Sequence, residues 1–546
     1  MTTRTAPSPT TSPAGPAGGP RPAGPVVTAL AVRTVRRGTA VVTAVAAGVP
    51  TLVALQFSQL DQALAGGSLA ALAENPAIRT LFGPPVALDD PGGFAVWRTG
   101  TVVAVLVGIW AASTATRTTR GEEEAGRSDL LLAGRLRLRD LLLRQVAVVL
   151  GACALLGGTV AAGLVLAGTA VRGALVFGAG IGGTGMLGAA LGALTAQLLA
   201  ERRAASGAAV SVLLAGLLLR MVADGQPALG WLHWLSPFGL IARSAPFAGD
   251  RVLPLVVLAG AVAGVLALAA LVAGRRDVGS GPWRRSGVVR PGRPLRSLPA
   301  LASRRVGRPV LGWTAGVAAY FLLIGLLART MTEFLAENPR FAELAAQAGL
   351  VELGSVQGYL ASLLTLLAVP VGAFAATRVA VTAADEVAGR LTVLYALPVR
   401  RVRWLATELT GVAVGAAVLA TGAGLAAWAG ATTAGARVSP GEALAGALNV
   451  LPVAAVCLGA AVAALAWAPS AVLPLGVLPA AGGYLLLVLA ETFGWPGWVR
   501  GFSPFAHLAA VPAEPLDVPG LVGMLVVAAL LTAAGLTGYE RRDLRG

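Results

Sequence analysis

Twelve stretches of this chain are apolar for long enough to cross a bilayer, near 38–57, 96–116, 145–170, 173–199, 204–222, 253–273, 311–328, 357–377, 405–429, 442–467, 471–490 and 519–539. A helix needs about 20 apolar residues to span the hydrocarbon core. Backbone in lipid must satisfy its own hydrogen bonds, so runs of this length predict helices. The expected fold is an all-α polytopic membrane protein with about 12 transmembrane helices. Charged residues make up 12% of the chain, about half the share in a soluble protein.

The basic residues fix an expected orientation. All 42 are Arg, with no Lys. With the amino terminus inside, the cytoplasmic segments hold 32 of them. That bias follows the positive-inside rule, and both termini are expected in the cytoplasm. It also accounts for the net charge of +16 without nucleic acid as a partner. Residues 1–27 read as a disordered Pro-rich tail, with no signal-peptide pattern. Residues 28–37 form a short basic amphipathic stretch expected on the inner membrane surface.

Missing Lys excludes a Walker A phosphate loop, which needs one to reach the nucleotide. Cys153 and Cys457 sit in apolar runs, and His233 and His507 are scattered, so no metal site is expected. Glu201, Asp224, Glu442 and Glu491 fall at span ends, which argues against a proton relay at mid-span. No segment carries a catalytic set. The fourth run holds GxxxG pairs at Gly178/Gly182 and Gly188/Gly192, spacings that let helices approach closely. Trp231, Trp234, Trp495 and Trp498 fit an interfacial aromatic belt.

The chain repeats itself. EEEAGRSDLLLAG at 122–134 returns 263 residues later as DEVAGRLTVLYAL at 385–397, each between the second and third run of a half. LAENP recurs at 72–76 and 335–339, SPF at 236–238 and 503–505, and RRD at 275–277 and 541–543. LAVRTVRRG at 30–38 is echoed by LASRRVGRP at 301–309. Two fused six-helix halves are expected, 28–277 and 301–546, joined by a basic cytoplasmic linker over 278–300. Six spans per half imply a pseudo-twofold axis along the membrane normal.

Within each charged block the acids lead and Arg trails, as suits a helix amino end. Glu123 with Arg127, and Glu386 with Arg390, are spaced as i, i+4 ion pairs, with Gly134 and Pro398 expected to end the helices. A solvated helix and a docking helix both fit that pattern. Recurrence favours docking of a cytoplasmic partner.

These motifs together resemble the twelve-span permeases of actinobacterial ABC exporters, in the tetronasin-like or polyketide-antibiotic exporter group. The resemblance implies an alternating-access permease that exports hydrophobic or amphipathic small molecules. It implies two copies of a separate ATPase subunit, with ATP and Mg bound there and no cofactor on this chain. The segments that match the family's coupling helices are Glu122, Glu123, Glu124, Gly126 and Arg127, then Asp385, Glu386, Gly389 and Arg390. The second copy departs from the first with Val387 in place of Glu124. Residues 28–37 and 301–308 would be surface helices preceding each half. Phe57, Trp110, Tyr320 and Phe374 are candidates for lining a substrate path, with packing or lipid contact as their ordinary alternative. A proton-coupled transporter of the major facilitator kind and a non-transporting scaffold or sensor subunit remain alternatives.

Overall fold

The computed structural model describes residues 23–57, 83–84, 86–133, 136–225, 227–277, 297–337, 355–492 and 495–542. Among them there is no strand. Twelve helices are long and apolar enough to span a membrane: Gly24–Leu55, Pro91–Glu124, Leu138–Leu166, Val171–Leu198, Arg202–Gly225, Leu253–Ala273, Leu298–Phe334, Val356–Val387, Arg401–Thr433, Pro440–Trp467, Pro469–Leu487 and Val518–Arg541. They are called spans 1 to 12. Each contains most or all of one predicted run, and the chain is a multi-pass membrane protein. The Pro-rich tail to Pro22, LAENP at 72–76, Gly134 and most of the linker lie outside the described residues.

The two surface helices expected before the halves are not separate. Residues 28–37 are the start of span 1, and 301–308 belong to span 7, which runs on through Pro309. The cause is their apolar stripe. Val27, Ala31 and Val35 are buried, as are Ala302 and Val306. Val35 joins a cluster with Ala111 and Val149 of spans 2 and 3. Helix neighbours cover this stripe, so nothing turns the chain aside onto lipid headgroups.

The chain divides into two compact units. The first is built on the described parts of Met1–Gln59, Val86–Arg220 and Trp231–Ser286, the second mainly on those of Gly287–Gly546. In the first unit span 4 is the hub, touching spans 2, 3 and 6. Its two glycine pairs face different neighbours. A methyl built on Gly178 would lie 2.4 Å from the Gly157 carbonyl oxygen of span 3, and one on Gly188 the same distance from that of Gly108 in span 2. Neither approach leaves room for a side chain, so the glycines are what allow three backbones to meet.

In the second unit span 10 packs against spans 8 and 12, and span 7 lies along span 9. There Gly325 and Gly430 make the close approach: a methyl on Gly325 would sit 2.1 Å from the Ala427 carbonyl oxygen. Span 10 begins with a capping box, in which Ser439 and Glu442 each bond the other's backbone N–H. Glu442 is thereby explained as a cap.

The SPF motifs are docking turns. Ser236 and Ser503 are fully buried. Ser236 caps the helix Pro237–Ser244, and Ser503 Oγ donates to the Gly483 carbonyl at 2.8 Å. Ser236 and Pro237 press on Gly216 of span 5; Ser503 and Pro504 press on Gly483 of span 11. These positions correspond one to one at a spacing of 267 residues.

Candidate functional site

Both charged blocks sit where a long span ends. Span 2 continues through Arg120–Glu124 and stops at Gly126, whose φ of +69° is left-handed. Span 8 stops at Gly389, φ +67°. There the N–H groups of Gly389 and Arg390 bond back to the carbonyls of Glu386 and Asp385, at 2.9 and 3.0 Å. This is the Schellman ending, which glycine accommodates without a Cβ penalty. Each helix therefore ends eight or nine residues before the stops expected at Gly134 and Pro398. Short helical turns, Arg127–Leu132 and Thr392–Tyr395, follow.

This early stop corrects the expected i, i+4 pairs. Beyond the left-handed glycine the trailing Arg swings back to the first acid of its block. Arg127 makes a bidentate contact with Glu122 at 2.6 and 2.8 Å, and Arg390 reaches Asp385 at 3.1 Å. The Glu122 carboxylate raises the Arg127 pKa, by hydrogen bonding first and by charge second. Arg127 stays more than half exposed, so the pair stabilises by under about 1 kcal/mol.

The second acid of each block faces inward. Glu123 is 5% exposed and holds both carboxylate oxygens on Arg276 of the RRD ending, at 2.8 and 2.6 Å. Arg276 also donates to Gln197 of span 4 at 2.8 Å. Arg120, itself buried, pairs with Glu123 at 2.8 Å and donates to the Ala200 carbonyl at 2.9 Å. In the second unit Glu386 pairs with Arg542, the second Arg of the other RRD, and Arg542 donates to the Leu465 carbonyl at 2.9 Å. RRD is thus the partner of the block in both units.

Around this shared contact the units differ. Asp385 also binds Arg305 of span 7 at 2.8 Å, and Arg305 reaches Glu408 of span 9 at 2.9 Å. Glu408 is not at a span end like the four acids expected there: it lies two turns into span 9 and is buried. In the first unit Glu124 accepts a bond from the N–H of Arg202, the first residue of span 5. Val387 has no oxygen to offer and is 81% exposed. Span 11, however, begins with Pro469, which stands 267 residues after Arg202 and has no N–H to satisfy. The departure at Val387 is matched by a missing donor.

What each block leaves open is a small turn. Ala125, Gly126, Arg127 and Leu130 are exposed in the first, and Val387, Ala388, Gly389 and Arg390 in the second. Leu130 and Val387 are 80% and 81% exposed. Replacing Gly126 or Gly389 by Ala meets no atom within 4 Å. The cost should then be the left-handed backbone alone, roughly 1–2 kcal/mol at either site. Thermal unfolding of the two variants in detergent checks it, and the drops should match.

Each of the four aromatic candidates has a neighbour within its own unit. Phe57 stacks against Phe94 with centroids 5.6 Å apart, and Trp110 lies over Gly38. Tyr320 meets Phe321 edge-on, and Phe374 is fully buried against Trp313. Among the described residues no group of acids, Cys and His could hold a metal ion.

The chain is 28% identical over 502 residues to the multidrug efflux system permease protein Rv1217c of Mycobacterium tuberculosis, covering 89% of this chain and 88% of that protein. The chain is a homologue of that permease. Residues 295–540 also match the family model for the C-terminal domain of the multidrug efflux system permease Rv1217c. The matched part contains the second block, Arg305 and Glu408, and ends before Arg542.

Proposed function

We propose that the chain is the permease subunit of an ATP-driven exporter of hydrophobic or amphipathic compounds. Two copies of a separate ATPase subunit would bind ATP and Mg and dock on the two blocks. The observation that carries this reading is the exposed turn beyond each left-handed glycine. Around that glycine one Arg and one large apolar side chain, Leu130 after Gly126 and Val387 before Gly389, stand on a base of buried ion pairs in both units. Likeness to a multidrug efflux permease supports the transport role and the class of cargo. The Arg bias supports cytoplasmic blocks and termini. The one-to-one SPF and RRD contacts support two duplicated halves about an axis normal to the membrane. The tetronasin-like group rests on the quoted motifs.

Rigid ion-paired blocks favour an external motor over a proton relay, since Glu408, the acid furthest inside a described span among those named here, is tied to Arg305. Copurification of the chain with an ATPase subunit is the deciding measurement. Leu130→Asp with Val387→Asp should reduce that copurification about tenfold or more, because both residues are nearly fully exposed in the free chain and would bring an unpaired charge to the interface. Undiminished binding would remove the docking role from the turns. Transport that stops with a protonophore and survives ATP depletion would favour the major facilitator alternative.

A further inference from the structure

We infer that Arg276 and Arg542 are positioning residues that fasten the last span of each half to its block, so that spans 6 and 12 travel with whatever moves the exposed turns. This rests on the proposed docking role and adds the route by which motion leaves the site.

Three observations carry it. The contact is the same in both units although its surroundings differ: the second acid of the block meets the second Arg of RRD. Arg276 lies three residues beyond the end of span 6 and Arg542 one beyond span 12, so each acts at the very foot of its helix. These spans are also lightly enclosed. Over an apolar stretch of 18 residues in each helix, 22% are buried in span 6 and 17% in span 12, against 67% in spans 4 and 10. A helix fastened at its foot and backed by one main neighbour, span 4 for span 6 and span 10 for span 12, is suited to being carried.

In the first unit the fastening is a fork, and in the second one nitrogen of Arg542 meets one oxygen of Glu386. Arg276 uses two nitrogens on one carboxylate, a geometry that fixes orientation as well as distance and that Lys cannot copy. Additional ties are local: Glu124 to span 5 in the first unit, and Arg305 with Glu408 to spans 7 and 9 in the second. Neither is shared, so among the ties described from a block to another span the acid–RRD pair is the one found in both units.

The test uses the full chain with its ATPase in lipid nanodiscs, and centres on Arg542, the less buried of the two. Arg542→Gln should keep ATPase binding and basal hydrolysis while transport per ATP falls about tenfold or more. Arg542→Lys should recover part of it, and the exchange E386R with R542E should return it to within about threefold of the parent. Wild-type transport per ATP in Arg542→Gln would overturn the inference. So would an exchanged pair that folds and binds the ATPase yet stays uncoupled.

A parent chain that binds no ATPase would instead refute the docking reading. The fastening is then read alone, by hydrogen exchange on the isolated chain. Arg542→Gln should speed exchange at 384–392 and at the end of span 12 together. Unchanged exchange in either segment would refute the fastening itself.

Discussion

Glu123→Ala should lower the stability of the first unit by roughly 3–5 kcal/mol, the cost of removing one partner from a buried ion pair. The change leaves two guanidiniums, Arg120 and Arg276, inside the protein without the carboxylate they share. Both are nearly inaccessible, at 1% and 4% exposure, so water cannot replace the lost oxygens. Glu122→Ala is the matched control one residue away. It removes a contact to a solvent-exposed Arg127 and should cost under about 1 kcal/mol. Glu386→Ala should fall between them, because Arg542 keeps 19% of its side-chain surface and a bond to Leu465. Unfolding of the three variants in detergent measures the order, and an effect at Glu123 no larger than at Glu122 would contradict it.

The second large effect should come from the hub of the first unit. Gly188→Leu must push span 4 away from span 2, since the first added carbon already overlaps the Gly108 carbonyl. Overpacking a core costs about 1–3 kcal/mol when side chains can yield. Here the obstacle is backbone, so the loss should exceed that range, and little folded protein should be recovered. Gly178→Leu meets the same barrier on span 3. Gly158→Ala, by contrast, faces open space within 4 Å and should be neutral or slightly stabilising through the unfolded chain. The yield of monodisperse protein in size-exclusion chromatography separates the three.

The twelve spans were readable because lipid leaves so little choice: a long apolar run must become a helix. Small-residue spacing likewise pointed to close packing at Gly178 and Gly188. What it could not tell is that one pair serves span 3 and the other span 2, because that depends on where neighbours sit around span 4. The charged blocks were visible as a repeat, and RRD as another. That Glu123 and Arg276 meet requires a contact across 153 residues, which no local spacing encodes. The helix stop was more accessible. Gly126 and Gly389 stand at the same place in each copy, and a repeated glycine just after a run of acids marks a left-handed ending better than the later Gly134 or Pro398 did. Glu408 was also there to be seen, as a lone acid inside a predicted run.

One difference between the blocks bears on how such a chain can change over time. Where span 5 opens with Arg202 and its N–H is held by Glu124, loss of the carboxylate hands an exposed donor over to water. Where span 11 opens with Pro469, the same loss strands nothing, and Val387 can stand in its place. Losing the acid therefore forfeits a surface capping bond in one half and nothing of the kind in the other, and a proline at the helix start removes the donor altogether. A library of single replacements would score Glu124 as important and the position of Val387 as permissive, and neither score would transfer to the other half. Each block's tolerance is written at the start of a helix more than 75 residues downstream.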